Sequence, residues 1–434
     1  MHQPFVRRLA ALALIAVGFC SFTVLPESIA AELKTSAASA ATADWPWWRG
    51  PTSDGIAAAD QQPPLRWSET ENIVWRTKVP GRGHASPTIV GKRIFLATAN
   101  EQQEVQSILC YDRSTGRALW KVDVHSGGFD RRGHQKSSQA SATVACDGQR
   151  IFANFLHDGA VYTAALDLDG QKVWETKISE FTTHQGFGSS PAIYGPLVIV
   201  SADNKAGGVI AALDRRTGKI VWQHDRPQLP NYTSPIVLPV AGRDQLLLAG
   251  CDTISSFEPL SGKRLWEIEG STTECVGTIV SDGERVFASG GYPKKLTVAV
   301  KADGSGTVAW QNETRTYVPS MLVHDACLYT VTDAGIAFCW KSSTGEELWK
   351  ARLGGTFNTS PVLVGEKIFA TNQEGRTFIF KASPSAYEPI AENQLGEDVY
   401  ATPVFCANRI YMRVAKGAGD ARQEWLYCIG SKAD

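Results

Sequence analysis

The sequence predicts an all-β protein: an eight-bladed β-propeller of four-stranded antiparallel blades, its last blade closed by a strand from the N-terminal side. Three observations carry this. A hairpin unit ending in Trp recurs six times, and a Ser-Pro-type marker recurs eight times. The last repeat is one strand short, and an orphan strand stands before the first.

The hairpin unit is clearest at residues 110–120, CYDRSTGRALW. An apolar strand ends at Asp112, a turn Arg113-Ser114-Thr115-Gly116 follows, and a second strand closes on Trp120. The pattern returns with Trp174, Trp222, Trp266, Trp310 and Trp349 at its end. Asp or Ser can hydrogen-bond its own turn, and Gly supplies the positive φ of a tight hairpin. The six Trp are therefore expected to be structural and to pack between neighbouring blades.

The marker opens an apolar strand, then a turn, then a second apolar strand, as in Ser86-Pro87-TIVGKRIFLA. Its relatives start at Ser141, Ser190, Ser234, Val276, Pro319, Ser360 and Thr402, spaced 55, 49, 44, 42, 43, 41 and 42 residues apart. Four strands in a period near 45 residues is the mark of a propeller blade. The eighth repeat ends after EWLYCIG without its outer, Trp-ending strand. Residues 72–76, NIVWR, match that strand and are expected to close the ring, which leaves no open sheet edge there.

Ahead of the propeller the chain divides into three stretches. Residues 1–30 read as a signal peptide: Arg7 and Arg8, an apolar run from Leu9 to Val24, then small residues at Ser28 and Ala30. Cleavage is expected near Ala30 or Ala31, giving a periplasmic or secreted protein that is not integral to a membrane. Phe19 precedes Cys20 where a lipoprotein signal wants a small residue, so no lipid anchor is expected. Residues 31–43 are small and polar, a flexible linker. Residues 44–71 open with DWPWWRGP and form a Trp-rich strap, expected to pack on one end of the propeller at residues 72–434.

The bounds agree with one large domain. The chain has 434 residues, of which 43% are hydrophobic, and a net charge of −1. That supports a large core, and it argues against nucleic-acid binding. Single blades cannot bury both faces, so they stack into one ring, here expected as a monomer. The eight Cys beyond the signal fall mostly on apolar strands, which favours buried small hydrophobes, although export permits disulfides. No Cys or His spacing marks a metal site.

In a propeller the residues just before each innermost strand frame the channel mouth. Two residues ahead of the markers stand His84, Gln139, Gly188, Tyr232, Glu274, Tyr317, Asn358 and Tyr400. Converging aromatic and polar groups suit a small ligand; a water-filled polar funnel is the competing reading. The two longest spacings place loops 124–139 and 179–189 over the same mouth, carrying His125, Arg131, Arg132, His134, Lys136 and His184. His134 and His184 are expected to reach the site. Arg131, Arg132 and Lys136 suit an anionic group or form a solvated charge run. No residue is identified as catalytic, because signatures of hydrolases and nucleotide-binding loops are missing and Glu274 is the lone carboxylate of the ring.

The Asp-x-x-Thr-Gly-x-x-x-Trp core at residues 112–120 and 214–222 resembles the pyrroloquinoline-quinone (PQQ) repeat family over about residues 72–430. Two eight-bladed branches are similar: the quinoprotein alcohol dehydrogenases and the outer-membrane assembly factor BamB. The opening TADWPWWRGPTSDGI and the later HQGFGSSP also resemble exported PQQ-like propellers. The dehydrogenase branch implies PQQ over an adjacent Cys-Cys disulfide, with Ca²⁺ held by Glu, Asn and Asp. This chain has no adjacent Cys pair, and Glu274 and Asn358 lack a ring Asp to complete the set. The expected function is thus an exported binding or scaffold protein for a protein partner or small ligand at the propeller face. The alternative is a PQQ- or metal-dependent oxidoreductase, with a hydrolase or lyase using the funnel His residues behind it.

Overall fold

The computed structural model describes residues 44–431. The expected signal peptide, its cleavage point, Cys20 and the expected linker lie outside the described residues.

Eight four-stranded antiparallel sheets form the blades of a propeller. Blade 1 runs outward through Thr88–Val90, Arg93–Asn100, Val105–Asp112 and Ala118–Ser126. Blades 2 to 7 repeat it between residues 145 and 394. The first strands of neighbouring blades touch, which puts them at the axis. Blade 8 supplies Val404–Cys406, Arg409–Lys416 and Gln423–Ile429, and Ile73–Val79 pairs antiparallel with the last of these as the fourth strand. The ring closes as the sequence predicts.

Each hairpin is built from its own turn. Asp112 Oδ1 accepts the backbone N–H groups of Ser114 and Thr115 and both their hydroxyls, and Asp214 Oδ1 accepts the backbone N–H groups of Arg216 and Thr217 and the Thr217 hydroxyl. These bonds to the ionised form, the Ser114 hydroxyl first, hold the Asp112 carboxyl down at about 2.

The Trp then joins blade to blade. Trp120 Nε1 donates to Leu168 O in the next blade's turn at 3.1 Å, Trp174 to Arg215 O at 3.1 Å, and Trp222 to Pro259 O at 3.1 Å. Trp310 and Trp349 reach Ser342 O and Ser383 O at 2.7 and 2.8 Å. Trp75 in the closing strand binds Arg113 O at 3.1 Å, so blade 8 docks on blade 1 by the same contact. Gly116 and Gly218 lie at φ +71° and +75°, and a Cβ there would meet the Trp75 and Trp174 rings at 2.4 and 2.6 Å. The turn needs a left-handed residue and the indole needs a bare backbone; only Gly satisfies both. Trp266 differs: its indole donates to Gln245 Oε1 of its own blade at 2.8 Å.

Blade 7 has no Trp. Ala391 pairs with Ile379 where Trp349 pairs with Cys339 one blade earlier. Trp67 of the N-terminal stretch enters the same core, stacked on Phe369 at 6.5 Å, and its backbone is tied to the outer strand through Asn393. The rest of residues 44–71 runs across the blades on one end of the ring. Trp45 bridges Ile89, Ala57 N–H donates to Leu363 O, and the buried Arg49 donates to Met321 O and Pro361 O.

At the axis a ladder of hydroxyls links the blades. The backbone N–H of Ser86 donates to Thr143 Oγ1 at 3.0 Å, Thr143 to Ser190 Oγ at 3.0 Å, and Ser190 to Ser234 Oγ at 2.9 Å. The same step joins Thr278 to Ser320, Ser320 to Ser360 and Ser360 to Thr402. These bonds define the true equivalents, and they correct the sequence register. In blades 2, 5 and 6 the marker is Thr143, Thr278 and Ser320, not Ser141, Val276 and Pro319. Pro follows the hydroxyl residue in the other five blades and not in these three, so the sequence lacks its signpost there. The eight Cys among the described residues are buried and unpaired.

Candidate functional site

The corrected register moves three positions of the mouth ring. Two residues ahead of the ladder stand His84, Ser141, Gly188, Tyr232, Val276, Val318, Asn358 and Tyr400, and all eight line one cavity of about 370 Å³. Gln139 is displaced from it; its side chain donates to Asp130 O beneath the loop. Glu274 steps back behind the wall, where it is 3% exposed. Tyr317 stays on the wall beside Val318.

Two walls of the cavity are built differently. On one, Tyr317 donates its phenol to Glu274 Oε2 at 2.6 Å, and His184 Nδ1 sits 3.2 Å from Glu274 Oε1 and 3.1 Å from the Tyr232 hydroxyl. Burial, then the neighbouring carboxylate, raises the Tyr232 and Tyr317 phenols above their ordinary range, so both stay neutral donors. Asp333 fixes the Tyr317 backbone by accepting its N–H at 2.7 Å and that of Val318 at 3.1 Å. On the other wall His84 stacks on Tyr400 at 4.1 Å with planes 13° apart. Burial, then Arg82, Arg413 and Arg422, pushes the His84 imidazole well below its usual value and keeps it neutral, and its Nε2 is buried without a partner. Gln373 donates to the Tyr400 hydroxyl at 2.9 Å and accepts from Asn358 at 3.0 Å.

The floor is Trp48, whose indole N–H donates to Thr278 Oγ1 at 2.8 Å. No backbone N–H of the ladder reaches Thr278; the strap takes that hydroxyl instead. The rim comes from the two long loops. His134, Lys136, Gln185 and Phe187 line the cavity. Arg131 pairs with Glu104 at 2.8 Å and Arg132 with Asp130 at 2.8 Å, so these two arginines are ion-paired and not held for a ligand. His125 is turned away from the mouth. It is buried, hydrogen-bonded to Gln106 and Glu175, and stacked on His157 at 4.3 Å.

The residues present do not fit a Ca²⁺-held quinone. A cation needs several oxygen ligands, yet the two Glu274 oxygens already face Tyr317 and His184, and among the described residues no group of three or more His, Cys, Asp or Glu side chains is placed to hold a metal ion. No Cys lines the cavity. The arrangement offers aromatic faces, neutral hydrogen-bonding groups and one cation, Lys136, which can hold a ligand or an inserted peptide segment.

Comparison with known proteins agrees with the architecture. A family model described as outer membrane protein assembly factor BamB matches residues 51–183, 104–351 and 297–383. A polyvinylalcohol dehydrogenase of a Pseudomonas species is 25% identical over 39% of this chain, and the chain spans only 26% of that enzyme. The outer membrane protein assembly factor BamB of Burkholderia pseudomallei is 23% identical over 79% of this chain and 86% of its own length. Among solved structures, a europium-containing methanol dehydrogenase superposes with TM-score 0.66 over 92% of this chain and all of its own, at 12% identity, a likeness of fold alone.

Proposed function

We propose that this chain, which belongs to the PQQ-repeat propeller family of outer membrane protein assembly factor BamB, is an exported binding protein that holds a protein segment at its channel mouth. One observation carries the reading: the carboxylate that chemistry would draw on is consumed by the wall itself. Glu274 is buried with both oxygens engaged, and the faces left open are largely aromatic, with Lys136 at the rim. His84, Tyr232, Tyr317, Asn358 and Tyr400 frame the pocket, with His134 at its rim; His184 and Glu274 brace it. The six hairpin Trp act as docking residues of the scaffold. Export is supported by the basic and apolar start of the chain and by the outer-membrane role in the name of its relative. No helix among the described residues is long and apolar enough to cross a membrane.

The test places a photo-crosslinking amino acid at position 317 on the mouth or at position 221 on the outer strand of blade 3, in the producing cell. Adducts at 317 and none at 221 are expected. Adducts only at 221 would move binding to the outer blades. A melting rise of the purified protein with PQQ and Ca²⁺, together with a bound quinone absorbance, would replace the reading with an oxidoreductase.

A further inference from the structure

One lip of the mouth carries cations that have no ion pair among the described residues. The turn of blade 5 that holds Tyr292, Pro293, Lys294 and Lys295 bridges to Glu274 through Tyr292, so it stands at the mouth. All four residues are exposed, and Tyr292, at 57%, is the most exposed large hydrophobic residue among the described residues. Arg315 lies between this turn and the cavity. Its guanidinium packs 5.1 Å from the Tyr317 ring centre, and a Cβ on Gly291 would meet Arg315 Nε and Tyr317 Cβ at 2.7 Å. Tyr317 is itself cavity wall, and Lys136 stands on the rim of the same cavity. The positive groups thus follow one path: Lys294 and Lys295, Arg315, the pocket, Lys136.

Other arginines around this mouth have carboxylate partners. Arg82 has Glu101, Arg131 has Glu104, Arg132 has Asp130 and Arg422 has Asp398. Lys136, Lys294, Lys295 and Arg315 have no ion pair among the described residues. Asp333 acts on Arg315 through space without an ion pair, and its two oxygens accept the backbone N–H groups of Tyr317 and Val318. Cations left unpaired around an aromatic pocket suit a segment that brings both carboxylates and rings.

We infer that the occupant of the mouth is an acidic peptide segment of a partner protein, whose carboxylates meet Lys294, Lys295, Arg315 and Lys136 while an aromatic side chain enters the pocket between Tyr317 and Tyr400. The inference rests on the reading of the mouth as the binding site. Rim charges act mainly on encounter rate and salt dependence, whereas the buried aromatic sets residence.

The test uses the mature protein and fluorescent peptides of alternating Glu and Tyr, Gln and Tyr, or Lys and Tyr, read by anisotropy at low and high salt. The Glu peptide is expected to bind, to weaken steeply with salt, and to lose about tenfold in affinity on Lys294→Glu with Lys295→Glu, since an attraction becomes a repulsion. These side chains are exposed, so the variant folds, which an unchanged melting point verifies. Lys136→Glu should weaken binding in the same direction. Equal binding of the Gln or Lys peptide overturns the charge assignment, and so does an affinity indifferent to both variants. No binding of the Glu peptide, while position 317 still crosslinks a partner in the cell, overturns the acidic occupant and leaves the mouth as the site. Loss of that crosslink as well removes the underlying reading.

Discussion

Tyr317 and Glu274 share a 2.6 Å hydrogen bond that turns a buried carboxylate into part of a wall. Tyr317→Phe keeps the ring and removes the donor. The carboxylate is then left with His184 alone. A buried acceptor robbed of one partner costs about 1–3 kcal/mol, so the variant should unfold at lower urea than the parent. Glu274→Gln in the Tyr317→Phe background should recover part of the loss, because an amide is cheaper to leave half-satisfied than a charge. Additive losses in this double-mutant cycle would show that the two groups do not act together.

Trp222 is expected to be structural. Its indole is buried and binds Pro259 O across the blade junction. Trp222→Ala should cost about 3–5 kcal/mol. Val221→Ala, one residue earlier but 53% exposed, should fall within about 0.5 kcal/mol of the parent. A parent-like melting point for Trp222→Ala would defeat the docking role.

Trp67 fills the place that Ala391 leaves vacant between blades 7 and 8. Trp67→Ala should open that junction first, seen as faster hydrogen exchange in the outer strand Pro389–Gln394 while the strand Ile220–Arg226 of blade 3 keeps its protection. Equal loosening of both would mean that the strap stabilises the ring as a whole.

Arg413 and Glu424 form a 2.6 Å pair, each 2% exposed, where blade 8 meets blade 1. Arg413 also donates to Ala97 O in blade 1. Arg413→Met takes from Glu424 its buried partner and leaves it Arg422 at 3.0 Å and the Gly83 N–H, so the loss should fall at or below about 3 kcal/mol, the low end for breaking a buried pair. Arg413→Met with Glu424→Leu should be milder than the single change. A harsher double variant would contradict the account of the single as a buried charge deprived of one partner.

His125 carries a pH signature. Burial is the largest cause, and it lowers the imidazole to about 4 against the pull of Glu175. A depressed His binds its proton more readily in the unfolded chain, so acid favours unfolding. Stability attributable to His125 is full above about pH 6.5 and falls as pH drops from there toward 4. His125→Gln should flatten the melting-point profile in that window relative to the parent. An unchanged slope would assign the acid sensitivity to other groups.

The sequence alone determined the propeller, its eight blades and its closing strand. Those features come from local chemistry repeated: the Asp112 turn, the Gly116 bend and the terminal Trp each depend on residues close in the chain, so a period exposes them. Tyr232, Asn358 and Tyr400 could be placed at the mouth because a Pro follows the hydroxyl residue two positions later in each of those blades. The remaining features depend on partners far apart in the chain. Glu274 shows its commitment only when Tyr317 and His184 arrive, 43 and 90 positions away along the chain. Gln139 lost its place because Thr143, without a following Pro, is recognised as ladder residue only by its bond to Ser190. Trp67 stands in for a missing blade residue more than 300 positions later, and Lys294, Lys295 and Arg315 become one lip only when two blades meet beside Tyr317. Turn chemistry is short-range and legible in a single copy. Pairing and neutralisation of charge are settled by packing, where distance along the chain gives no guide.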